Sequence, residues 1–202
     1  MERKRSLMLQ RGSDESARHQ ATRLMECIIT NSAVAYAALD ALYVELKVGG
    51  GFFRGRQMSS EVDELTRHEL IGYITALAVV LVERSSRDIH ETASIVAALE
   101  NLVFLPEWHA ARVPYQRYVA QYRHISPSDS AVPPRQKVLL IRFRQTLIDI
   151  WSVSPELLLE DGIVQRHCEA LSMLHDGVER RILKELDKVP TIGDVLSPPF
   201  SP

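Results

Sequence analysis

Apolar side chains recur in steps of three and four along most of this chain, the period of helices that bury one face. The first such run carries Ala17, Ala21, Leu24, Ile28, Ala35, Leu39, Leu42 and Leu46. Ser13 and Asp14 offer it an N-cap, and Gly49, Gly50 and Gly51 stop it, because glycine readily takes the left-handed conformation at a helix C-terminus. Its middle is rich in small residues (Ala33, Ala35, Ala37, Ala38 and Ala41), which let a neighbouring helix approach closely. A second run, capped by Ser59 or Ser60, carries Val62, Leu65, Ile74, Leu77 and Leu81 and ends near Arg84. Asp88 and Glu91 stand at capping-box spacing and open a third helix through Ile95, Leu99 and Leu102 that Pro106 terminates. The short connection between the second and third runs predicts an antiparallel helical hairpin.

An aromatic segment from Pro114 to His124 predicts a fourth helix packing Tyr115, Tyr118, Val119 and Tyr122. Arg135 to Trp151 predicts a fifth, apolar through Leu139, Leu140, Phe143, Leu147 and Ile150. The last starts at Ser154 and Pro155 and continues through Val164, Cys168, Leu171, Leu174, Val178, Ile182 and Leu186, with Gly162 as its weakest point. The expected fold is therefore an all-α bundle of about six helices. Residues 1–12 form a basic arm, 13–189 a single helical domain with Ser126–Pro134 as an internal linker, and 190–202 a proline-rich tail.

Of the 202 residues, 46% are hydrophobic and 25% charged, a balance that supports a core and excludes general disorder. A net charge of -2 gives no global field for nucleic acid, which is not expected as a partner. The longest nearly unbroken apolar stretch, Ile71 to Val82, is about half of what a bilayer crossing requires and reads as a buried helix, so no membrane span is expected. Leu7 to Leu9 is too short for a signal-peptide core. Cys27 and Cys168 both fall inside helical patterns, which fits a reducing, cytoplasmic compartment.

The sharpest local pattern is Thr66-Arg67-His68-Glu69-Leu70-Ile71-Gly72. His68, Leu70 and Gly72 resemble the phosphoacceptor motif of histidine phosphotransfer domains, which places leucine two and glycine four residues after the reactive histidine. The resemblance implies a phosphoacceptor role for His68, with Gly72 leaving room beside the imidazole for an incoming aspartyl phosphate. Ile71 departs from that pattern, which has lysine there. Histidine-kinase dimerisation helices share the His-Glu-Leu triplet, but the proline five residues after the histidine is missing. The bland alternative is a histidine paired with Glu64 one turn earlier.

Gly49, Gly50, Gly51, Phe52, Phe53, Arg54 and Arg56 form an unusual loop. Its exposed amides and two guanidinium groups suit an anion or a partner surface, although it lacks a P-loop's Lys-Ser/Thr ending. His167, Cys168 and His175 lie on or beside the apolar stripe of the last helix as soft metal donors, with core packing the simpler role. No catalytic set and no cofactor are expected. The first and last helices are longer than a small monomer readily covers, so the expected function is a non-catalytic adaptor or regulatory protein acting through protein contacts as a homodimer. Phosphotransfer by His68 is the first alternative, and a small apolar ligand between helices the second.

Overall fold

The computed structural model describes residues 2–48, 58–85, 88–103, 109–124, 135–153 and 161–188. Six α-helices account for nearly all of them, with no strand among the described residues: α1 (Glu2–Val48), α2 (Ser60–Arg84), α3 (Ile89–Val103), α4 (His109–His124), α5 (Arg135–Ile150) and α6 (Asp161–Asp187). The glycine loop 49–56, the linker 126–134 and the tail 190–202 lie outside the described residues.

Two helices begin earlier than their sequence signals. α1 starts at Glu2 rather than at the Ser13–Asp14 cap, so the expected basic arm is helical. Residues 2–11 are mostly strong helix formers, and Gly12, at roughly 1 kcal/mol, is too small a penalty to break so long a run. α4 starts at His109, with Pro114 inside the helix instead of at its start. α6 starts at Asp161, beside the suspected break at Gly162, and 154–160 are outside the described residues.

The end signals have clear causes. Ser59 is the N-cap of α2: its backbone is extended and its side chain accepts a hydrogen bond from the Val62 amide. α5 closes in a Schellman turn, in which Val153 N–H donates to Ile148 C=O and Ser152 N–H to Asp149 C=O. Ser152 holds the left-handed position usually given to glycine (φ 48°).

α2 is the axis of the bundle. Every residue from Gly72 to Val82 is buried, which no single-faced helix would show; all its sides are covered by other helices. Contacts fix the directions. α1 runs antiparallel to α2, with Tyr36 beside Asp63 and Arg67 and Ile29 beside Leu70 and Ile71. α4 runs parallel to α2, from Ala111, Pro114 and Tyr115 against Gly72 to Arg123 on Glu83. α5 is antiparallel, with Phe143 on Tyr73 and Trp151 on Thr66. α6 packs antiparallel to α1, from Arg166–Glu45 through Arg181–Asn31 to Arg23–Glu185.

Gly72 is where α2 and α4 come closest. A Cβ built on it would lie 2.5 Å from Pro114 Cβ and 2.8 Å from the Tyr115 nitrogen. Glycine is required there by the approach of the two backbones.

By length and composition, Ser16–Leu46 of α1 and Ser60–Arg84 of α2 would each suffice to cross a membrane. In α2 that apolar character is enclosed by protein, whereas less than half of the α1 segment is buried.

Candidate functional site

Thr66, Glu69 and Tyr73 follow one another at helical spacing on α2 and form a line of polar groups through the middle of the bundle. Thr66 donates its hydroxyl hydrogen to Val62 C=O (2.7 Å) and accepts from the Trp151 indole N–H (3.0 Å). Glu69 is 3% exposed; its two oxygens accept from Arg117 Nη2 (2.8 Å) and from the Tyr118 hydroxyl. Tyr73 is fully enclosed, stacked on Phe143 with centroids 4.2 Å apart and met edge-on by Tyr118. Its hydroxyl lies 2.5 Å from His175 Nδ1 on α6.

Burial acts on the phenols and the imidazole. It pushes the Tyr73 phenol well above its ordinary value, with Glu179 and Asp176 adding to the effect, and it raises Tyr118, reinforced by Glu69. It lowers His175, helped by Lys137 and opposed by Glu179 and Asp176. At neutral pH the phenols and the imidazole are therefore uncharged, while Glu69 faces the Arg117 guanidinium. His175 Nε2 is buried without a hydrogen-bond partner and lies 3.6 Å from Glu179 Oε2.

Of the cavities that border the described residues, three bear on the readings above, and none of these three is lined by Glu69, Tyr73 or His175. One of them, about 400 Å³, is an open polar groove between α1 and α6. In it Arg23 and Lys188 pair with Glu185, Arg181 donates to Asn31, and Asn31 donates to Cys27. Burial, then Glu185, raises the Cys27 thiol, so it is not a reactive thiolate. A second, apolar cavity beside Leu42, Leu147, Trp151 and His167 encloses only about 20 Å³, far below the roughly 300 Å³ of a small-molecule pocket. The apolar-ligand reading finds no room there. A third, of about 170 Å³, lies between α1 and α2 beside Ile29 and Tyr36.

His68 is half-buried on α2 with Glu64 exposed one turn before it, but the space beside Gly72 that phosphotransfer needs is filled by Pro114 and Tyr115 of α4. His167, Cys168 and His175 do not converge. His167 Nε2 faces the Leu42 carbonyl (3.4 Å), Cys168 is a half-buried free thiol, and His175 lies two turns further on. His175 is grouped instead with Asp176 and Glu179, which the sequence reading did not select although the His175–Glu179 spacing of four is a helix-face signature.

Two carboxylates fasten α1 to the bundle. The Tyr36 hydroxyl hydrogen bond, followed by Arg67, holds Asp63 below its ordinary value, and Lys188 followed by Arg23 does the same for Glu185. A depressed folded value contributes stability that is present above the unfolded value, about 4, and lost as pH falls through the folded one. The melting temperature is therefore expected to fall as the pH drops below about 4, and Asp63→Asn should flatten that decline in a dichroism-monitored pH series. An Asp63→Asn profile that keeps the wild-type slope removes Asp63 as a cause.

Compared with protein-family models, with curated proteins and with solved structures, the chain matches none.

Proposed function

We propose that the chain is a non-catalytic interaction protein that pairs with a second copy of itself through the outer face of α1. One observation carries this reading: the exposed positions of α1 from Ile29 to Ala41 are Ile29, Thr30, Ala33, Val34, Ala37, Ala38 and Ala41, with no charge among them. A solvated helix face ordinarily alternates charged side chains, and Val34 at 56% and Ile29 at 43% exposure are left in water instead. Ala33, Ala37 and Ala41 stand one turn apart, so a second helix can approach to backbone distance along the ridge.

The length of α1 supports the same reading. At 1.5 Å per residue its 47 residues span about 70 Å, against about 37 Å for the 25 residues of α2. A self-complementary face of this kind forms a two-fold dimer without further components. The free thiols Cys27 and Cys168 suit a reducing, cytoplasmic setting.

Sedimentation velocity on the full chain tests the pairing. The wild type should run as a dimer at micromolar concentration, and Ala37→Glu, at a site exposed in the bundle, should run as a monomer with unchanged helicity. A wild type that stays monomeric at tens of micromolar removes the reading. Co-flotation with phosphatidylcholine vesicles, abolished by Ala37→Glu, would assign the face to a bilayer instead.

A further inference from the structure

We propose that His175, Asp176 and Glu179 of α6 form a binding site for one zinc-type divalent cation. Their ligand atoms all lie within 4.8 Å of one another. The separation of His175 Nε2 and Glu179 Oε2, 3.6 Å, is too long for a hydrogen bond. It is close to the roughly 3.4 Å edge of a tetrahedron with metal–ligand bonds of about 2.0–2.1 Å. The two atoms stand as far apart as ligands sharing an ion do.

The buried nitrogen is the independent observation. His175 is 2% exposed, and its Nε2 has no hydrogen-bond partner, an arrangement that leaves a polar atom unsatisfied in the protein interior. Nδ1 is hydrogen-bonded to the Tyr73 hydroxyl, and in the tautomer that carries the ring proton on Nδ1 the Nε2 lone pair faces Glu179. Tyr73 is enclosed and stacked on Phe143, so its hydroxyl fixes the position of the imidazole. This is the outer-shell support that metal-binding histidines use.

Ligand chemistry selects the ion. One imidazole with two carboxylates suits zinc and its neighbours, whereas calcium and magnesium prefer oxygen alone. The two carboxylates offset the ion's charge, and Asp176 is exposed, so an ion has access from solvent. Lys137, whose charge acts on His175, is also exposed and can extend into water. Three protein ligands leave a fourth position to water. All three lie on α6, but the Tyr73 contact transmits the fixed imidazole to α2.

Calorimetric titration of the chelator-stripped full chain with Zn²⁺, paralleled by Co²⁺ absorption in the visible, tests the site. One saturable equivalent is expected, together with a rise in melting temperature. Asp176→Asn and Glu179→Gln should each weaken binding at least tenfold and shrink the thermal shift. Neither residue is in the core, and unchanged dichroism of the variants separates lost binding from lost folding. Absence of a saturable equivalent overturns the site, and so does unchanged affinity in either variant, which would place the ion on other histidines or cysteines.

Discussion

Gly72→Val should lower the stability of the fold by about 3 kcal/mol, the upper end of the usual cost of overpacking a core. The added side chain would start 2.5 Å from Pro114 Cβ and 2.8 Å from the Tyr115 nitrogen, and its first atom would also be 3.0 Å from the Ala111 carbonyl oxygen. A proline ring and two backbone atoms are not flexible tips that swing aside. α4 must therefore move off α2 as a body, straining the Glu69–Arg117 and Glu69–Tyr118 bonds that lie one turn away. In a chain of this size the loss corresponds to a drop in melting temperature of roughly 6–12 °C. Gly177→Ala is the contrast. Nothing lies within 4 Å of a Cβ there, so the gain in helix propensity, about 0.5–1 kcal/mol, should appear as added stability. If thermal melts rank the two variants the other way, α4 is not seated on α2 as described.

Glu69→Ala should cost about 3 kcal/mol in urea unfolding, the low end for removing one partner of a buried ion pair. Arg117 places the effect at that end: its side chain is 37% exposed and can recover solvent, whereas that of Glu69 is 4% exposed and has none. The Tyr118 hydroxyl has no such escape, because Tyr118 is fully buried. Tyr118→Phe removes the hydroxyl's bond to Glu69, along with its contact to Thr146, and leaves the Arg117 contact, so about 1 kcal/mol is expected from it. Equal losses from the two variants would mean that the ion pair adds nothing to the single hydroxyl bond.

Periodicity made the outer helices legible, because each buries one face and the spacing of Leu24, Ile28, Leu39 and Leu46 or of Val178, Ile182 and Leu186 records it. Starts were less legible. Pro114 looked like a first-turn residue, yet in the structure it lies inside α4 with its Cβ against Gly72, a role set by α2 and invisible in the local sequence. Gly72 itself stood out correctly as unusual, but the cause differs: four residues after His68 it suggests space for a ligand, and a helix from some forty residues later occupies that space. For the polar line the limit is distance along the chain. Glu179 is one turn from His175 and could be found by spacing alone, whereas Tyr73, which orients the imidazole, is 102 residues away. The uncharged face of α1 was half-legible. The three-to-four spacing already placed Ala35, which is buried, on the apolar stripe, but the alanines that announced close packing did not show that Ala33, Ala37 and Ala41 would be left exposed.

The enclosure of α2 bears on how the chain must be made. Its apolar surface is complete once Arg84 has been synthesised, yet α6, the last part of its covering, ends at Asp187, about 100 residues later. At ribosomal speeds of about 5–20 residues per second, that interval lasts roughly 5–20 s, during which Tyr73 and its neighbours await Phe143 and His175. The nascent polypeptide thus carries its stickiest segment incompletely sheathed over that interval, and chaperone demand should concentrate in that window.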